Sequence, residues 1–181
     1  MTPLCLALFS ALLSVLLFSV TVQATIIHVP SDQHTVQEGI NVAVDDDTVL
    51  VAPGIYSGTG NEALRFFGKA IVVVSEVGPA ATILHTVSNQ RTIVFQDGES
   101  FATVLDGFTI QGDTTLPFDW NRPFGGGILI DSASPVIRNC IIRRCFAANG
   151  GGVDVTSGSS VIEARNAKVK ALNATQIAQK Q

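Results

Sequence analysis

Two stretches of this chain repeat one phrase: GGGILIDSASPVIRNC from Gly125 and GGGVDVTSGSSVIEAR from Gly150, 25 residues further on. They align without a gap. The glycine triplets coincide, Ile128 and Ile130 fall on Val153 and Val155, Ser132 and Ser134 on Ser157 and Ser159, and Val136-Ile137 on Val161-Ile162. A third copy lies upstream at a spacing of 32, where LDGFTI (105–110) overlays IRNCII (137–142). Further back, AIVVVSE and RTIVFQDGES are strand-length apolar runs ended by turn residues. A short unit of strands and turns without a helix cannot bury its apolar side alone, so it must stack on its neighbours. Stacked coils place each strand about 4.8 Å above the last, in parallel. The expected fold is therefore all-β, a parallel β-helix. Its glycine triplets would stand at corners that exclude a Cβ, with Gly125 stacked on Gly150.

Such a solenoid needs its open end covered, and residues 31–44 predict a short N-terminal capping helix. Thr35 and Glu38 have capping-box spacing, and Val36, Ile40 and Val44 make one apolar stripe. Asp45-Asp46-Asp47 then ends the helix and reads as a solvated turn, with calcium binding as its other use. At the other end the register fails after Glu163. Arg165 lands where Cys140 and Phe108 are apolar, and the remainder is rich in Ala and Lys. This divides the chain into 1–24, a β-helix domain over 25–163, and a tail over 164–181 that is a cap or an unrelated extension.

The first 24 residues carry no charged side chain and are apolar from Leu4 to Val22. Val22-Gln23-Ala24 suits a signal peptidase, so they are expected to be a signal peptide cut between Ala24 and Thr25. An uncleaved anchor is the alternative, since about 18 apolar residues can span a bilayer. Cleavage would leave no transmembrane span and a secreted, extracellular or cell-surface protein. The net charge is −4, but the last 18 residues hold four basic groups and no acidic one. The rest carries seven basic against fifteen acidic residues. A body this acidic argues against nucleic acid as a partner, and is compatible with calcium or a neutral glycan. Cys5 lies in the leader. Cys140, in an apolar strand pattern, reads as a buried thiol, and a Cys140–Cys145 disulfide is the alternative that export permits.

The stretches TVQEGINVAVDDDTVLVAPGIYSG, GKAIVVVSEVGPAATIL, VLDGFTIQG and GGGILIDSASPVIRNCII resemble secreted bacterial right-handed β-helix proteins of the pectate-lyase-like superfamily, over Ile26 to Ile162. CFAANGGGV also resembles the repeats of polymorphic outer-membrane adhesins, through Phe146, Asn149 and Gly150 to Val153. The resemblance implies a right-handed coil. It does not choose an activity, because this fold hosts lyases, hydrolases, adhesins and inert stalks.

Lyase chemistry needs carboxylates that hold calcium against a uronate, and an Arg or Lys that abstracts the neighbouring proton. Arg138, Arg143 and Arg144 offer the base, and Asp106 and Asp131 the metal side. The repeat register points elsewhere. An offset of 32 puts Asp106 under Arg138, and 25 puts Glu163 above it. That minus-plus-minus column is what charge pairing on a solvated sheet face produces. GTGNEA (58–63) has dinucleotide-fingerprint spacing but lacks the following helix. His28, His34 and His85 lie far apart, beside no nucleophile, and no zinc spacing is present.

The stretch of most functional interest is an insertion. Where the coil spacing grows from 25 to 32, the seven added residues must sit between Ile110 and Gly125, within the segment QGDTTLPFDWNRPF. It holds the single tryptophan, Trp120, between Phe118 and Phe124, with Asp119, Asn121 and Arg122 interleaved. A flat ring beside short polar groups suits a sugar, the ring stacking on C–H bonds while the polar groups hold hydroxyls. The Phe residues read equally as pins that hold the loop to the coil. The expectation is a non-catalytic protein, without cofactor, that binds a polysaccharide or cell-surface component through Trp120, Asp119, Asn121 and Arg122. A calcium-dependent polysaccharide lyase or glycoside hydrolase is the alternative, and a fragment without separate function the third reading.

Overall fold

The computed structural model describes residues 23–88, 90–112, 126–145, 151–165 and 169–171. Strand β1 (Ile26–Val29) leads through helix α1 (Val36–Val42) into three successive coils. These are β2 (Thr48–Val51), β3 (Gly54–Ser57) and β4 (Leu64–Arg65); β5 (Val72–Ser75), β6 (Thr82–His85) and β7 (Ile93–Phe95); and β8 (Val104–Asp106), β9 (Thr109–Gln111) and β10 (Ile128–Ile130). The chain continues through β11 (Val136–Arg143), β12 (Val153–Val155), β13 (Val161–Arg165) and β14 (Val169–Ala171). Every ladder between these strands is parallel. Among the described residues the fold is a parallel β-solenoid with one short helix, as the repeat requires.

Alternation along each strand sends every second side chain inward. Stacking turns those side chains into columns. Val49, Val73, Leu105, Ile137 and Ile162 form one buried column, in register from coil to coil. Tyr56, Leu84, Ile110 and Ile142 form a second, and Leu64, Ile93, Ile128 and Val153 a third. Phe66 stacks on Phe95 at 4.7 Å between centroids. Where the path turns inside the core, hydroxyls satisfy one another: Ser75 with Thr82 at 2.7 Å and Thr86 with Thr92 at 2.6 Å.

The sequence repeat is a spatial repeat. Ile128 pairs with Val153 and Ile130 with Val155, so Gly127 lies against Gly152. A Cβ on Gly127 would meet the Gly152 carbonyl oxygen at 2.7 Å and the Cys145 sulfur at 2.9 Å. Close approach is what excludes a side chain there. The expected stacking of Gly125 on Gly150 lies outside the described residues.

Helix α1 closes the N-terminal end by packing on β1, β2 and β4. Its capping box forms as read: Glu38 N–H donates to Thr35 Oγ1 at 3.2 Å, and Thr35 N–H donates to Glu38 Oε2 at 3.0 Å. Gly39 lets the helix come close, because a Cβ there would stand 2.8 Å from Val49. The helix is shorter than the 31–44 stretch. Its carbonyls at Ile40, Asn41 and Ala43 are taken by Lys69 Nζ, each at 2.8 Å, and Val44 N–H by Asp47 Oδ2. Val44 leaves the apolar stripe and is exposed.

Pairing also runs past Glu163. Val136 and Ile137 face Val161 and Ile162, whereas Cys140 faces Ala164 and Ile141 faces Arg165. Two residues of β11, Arg138 and Asn139, therefore stand opposite the single Glu163, a β-bulge with Asn139 at φ 53. The loss of register at Arg165 is this one-residue slip. Beyond it, Val169–Ala171 pairs with Val153–Val155.

Candidate functional site

The outward face of β8, β9 and β11 gathers the charged residues that the repeat aligns. Arg138 sits beside Asp106 in register, and its Nε–H donates to Asp106 Oδ2 at 2.8 Å. Asn139, turned outward by the bulge, donates its side-chain amide to Asp106 Oδ1 at 2.8 Å. Both carboxylate oxygens are thereby engaged, and Asp106 is largely covered while Arg138 stays half exposed. Five residues after Arg138, Arg143 lies against Gln111 and donates Nε–H to its Oε1 at 2.9 Å. Arg144 follows in an exposed left-handed position, φ 54. Glu163 belongs to the same stack but faces the bulge, and among the described residues Arg138 is ion-paired with Asp106 alone.

Asn139 and Gln111 did not stand out in the sequence. The signal was there: the offset of 32 that sets Asp106 under Arg138 also sets Gln111 under Arg143. His85 extends the same outward column, between Ser57 and Gln111. His28 heads the neighbouring column, which runs through Leu50 and Val74 to Asp106. No nucleophile stands against either histidine through a hydrogen bond among the described residues.

Asp131 does not join Asp106. It follows β10 in the five-stranded sheet, whereas β8 belongs to the nine-stranded one. Asp131 Oδ1 accepts from Thr156 Oγ1 at 2.7 Å and from Ser157 Oγ at 2.9 Å. Those two hydroxyls, then Ser132, hold its carboxyl below the usual carboxylate range. This is a polar ladder built by the repeat itself, since Ser132 also meets Ser157, its counterpart 25 residues on. Among the described residues, no three His, Cys, Asp or Glu side chains are grouped to hold a metal ion.

The aspartate triplet serves the cap. Asp45 Oδ1 accepts from Ala70 N–H at 2.9 Å, and Asp46 N–H donates to the Ala70 carbonyl at 2.9 Å. Asp47 is not solvated as read: only 3% of it is exposed, under hydrogen bonds that fix it. Cys140 and Cys145 are free thiols. Burial pushes Cys140 up to about 12 and Cys145 up to about 11.

Trp120, Asp119, Asn121 and Arg122 lie outside the described residues, as do Phe118 and Phe124. The roots of their insertion are described. Gly112, at its start, donates N–H to the Arg143 carbonyl at 3.3 Å and leaves no room for a Cβ against the Arg144 carbonyl. Gly126 and Gly127 lead into β10 at its end. The insertion therefore springs from the coil edge that carries Arg143 and Arg144. Among the described residues, no helix is long and apolar enough to cross a membrane. Comparison of the chain with protein-family models, curated proteins and solved structures returns no match.

Proposed function

We propose that this chain is an exported, right-handed β-helix protein of pectate-lyase-like type that binds a polysaccharide or cell-surface component without transforming it. The observation that carries this reading is the Asp106–Arg138–Asn139 network. An arginine that abstracts a proton must be free to turn onto its substrate, whereas Arg138 is tied through Nε–H to Asp106 in the adjoining coil. A calcium site needs several carboxylates converging on one point. Asp106 and Asp131 are instead in different sheets, each occupied by neighbouring donors. These side chains act as cross-coil ties. Binding falls to the insertion with Trp120, Asp119, Asn121 and Arg122, rooted beside the exposed Arg143 and Arg144.

Substitution separates the roles. Trp120→Ala should weaken retention on the bound glycan at least several-fold while moving the melting temperature little, since surface changes stay within about 0.5 kcal/mol. Arg138→Ala should leave retention intact and cost about 0.2–1 kcal/mol, the range for an exposed pair. The same preparations incubated with polygalacturonate and calcium test the lyase alternative. An ultraviolet-absorbing unsaturated product, lost in Arg138→Ala, Arg143→Ala or Arg144→Ala, would overturn the binding reading. Absence of both product and Trp120-dependent binding would leave a structural stalk or fragment.

A further inference from the structure

Among the described residues Asp47 is a buried carboxylate in no direct ion pair, with Lys69 acting on it only from a distance. Its Oδ2 accepts from Val44 N–H at 2.8 Å, and its Oδ1 from Thr25 N–H at 2.7 Å and Thr25 Oγ1 at 2.8 Å. All three donors are neutral. Lys69, the cation nearest in the cap, spends its ammonium on the carbonyls of Ile40, Asn41 and Ala43. Aspartate is rarely this buried unless paired with a positive charge.

Among the described residues, Thr25 is also where the chain is first anchored. Gln23 and Ala24 are exposed, without strand or helix. Thr25 contributes its N–H and hydroxyl to Asp47, its carbonyl accepts from Thr48 N–H at 2.9 Å, and β1 begins at the next residue. The sequence independently places the cleavable bond at Ala24–Thr25.

We propose that Asp47 is the receptor for a newly made amino terminus: hydrolysis of the Ala24–Thr25 bond turns the Thr25 amide into an ammonium that ion-pairs with Asp47. In that step a secretory peptidase adds water across the amide. Hydroxide goes to the Ala24 carbonyl carbon and a proton to the Thr25 nitrogen; the new carboxylic acid then passes its proton to the amine, giving a carboxylate on the leader and an ammonium on the domain. The nitrogen is already 2.7 Å from Asp47 Oδ1, so the pair forms without movement of the backbone. Thr25 is exposed, which leaves the remaining ammonium protons to water. Removing the leader thus completes the cap, placing a positive charge in direct contact with the buried carboxylate. The inference rests on the export reading.

Two measurements keep the pair and the export reading apart. Mass and N-terminal sequence of the exported chain should show Thr25 first; any other start overturns the proposal together with the processing site. On that chain, NMR titration of the α-amine should give a pKa above the ordinary value of about 7.7–8.0 by about one unit, a tenfold tighter hold on the proton. Asp47→Asn should return it to the ordinary range. The charged group acting on the pair is Lys69 on the adjoining coil, while Asp45, on the same turn, is engaged by Ala70 N–H. Because the ammonium's affinity is raised by folding, its contribution is full below about 7.7 and lost as pH rises through the raised value. Should Asp47→Asn not fold, acetylating Thr25 removes the charge alone and should lower the denaturation midpoint. An ordinary amine pKa, or equal midpoints for free and acetylated chains, overturns the ion pair while leaving the cleavage site standing.

Discussion

Cys140 shows what a single position owes to its place in the stack. Its sulfur is buried and donates toward the Arg138 carbonyl at 3.2 Å, while Cys145 packs beside Gly127. An ordinary thiol of pKa about 8.5 is about one quarter thiolate at pH 8. At about 12 and 11, the two thiols here fall to roughly one part in ten thousand and one in a thousand. With Cys5 changed to serine, a thiol reagent at pH 8 should therefore leave both cysteines of the native protein almost untouched and label two on unfolding. Fast native labelling would show an open Cys145, and no labelling after unfolding would show a disulfide. The buried thiol was legible, because Cys140 falls on an apolar strand position. The burial of Asp47 was not. A run of three aspartates looks solvated, and nothing local shows that its third member takes the amide and hydroxyl of a residue 22 positions earlier.

At the level of single elements, the helix start was readable and its end was not. Thr35 and Glu38 are three residues apart, so the capping box is a local signal. The stop is tertiary, set by Lys69 from the following coil. That ammonium, on three carbonyls at the negative end of α1, combines charge-assisted hydrogen bonds with a favourable dipole interaction. Lys69→Met keeps most of the aliphatic stem and removes the charge. It should cost about 1–3 kcal/mol in urea unfolding, and hydrogen exchange should quicken first in residues 36–43. An unchanged midpoint would mean that water replaces Lys69 without loss. The bulge in β11 has the same lesson in a strand. An offset of 25 carries Val136-Ile137 onto Val161-Ile162, yet one extra residue at Arg138-Asn139 changes every later pairing. Apolar matching alone cannot see it, because a constant offset of 25 carries Arg165, not Ala164, onto Cys140.

The stack as a whole was legible because periodicity is a property of the entire sequence, and each coil reports on the others. Its energetics should carry the same mark. In a solenoid each coil touches only its neighbours, so stability is a sum of coil terms and interfaces. The column Val49, Val73, Leu105, Ile137 and Ile162 tests this directly, being buried throughout and in register. Leu105 has a partner on each side, Val73 and Ile137; Ile162 is paired in the described ladder with Ile137 alone. Leu105→Ala should cost about 2–5 kcal/mol, as for a fully buried leucine. Its effect on hydrogen exchange should spread both ways, to β5 and β11. Ile162→Ala should cost less and loosen mainly β13 and β11, leaving β2 and β5 near their original protection. If the two variants cost the same and quicken exchange uniformly, the domain unfolds as one indivisible unit and the nearest-neighbour description fails. If only the Leu105 variant also broadens the urea transition, the middle interface is the weak joint, and breaking it leaves the helix-capped coils folded on their own.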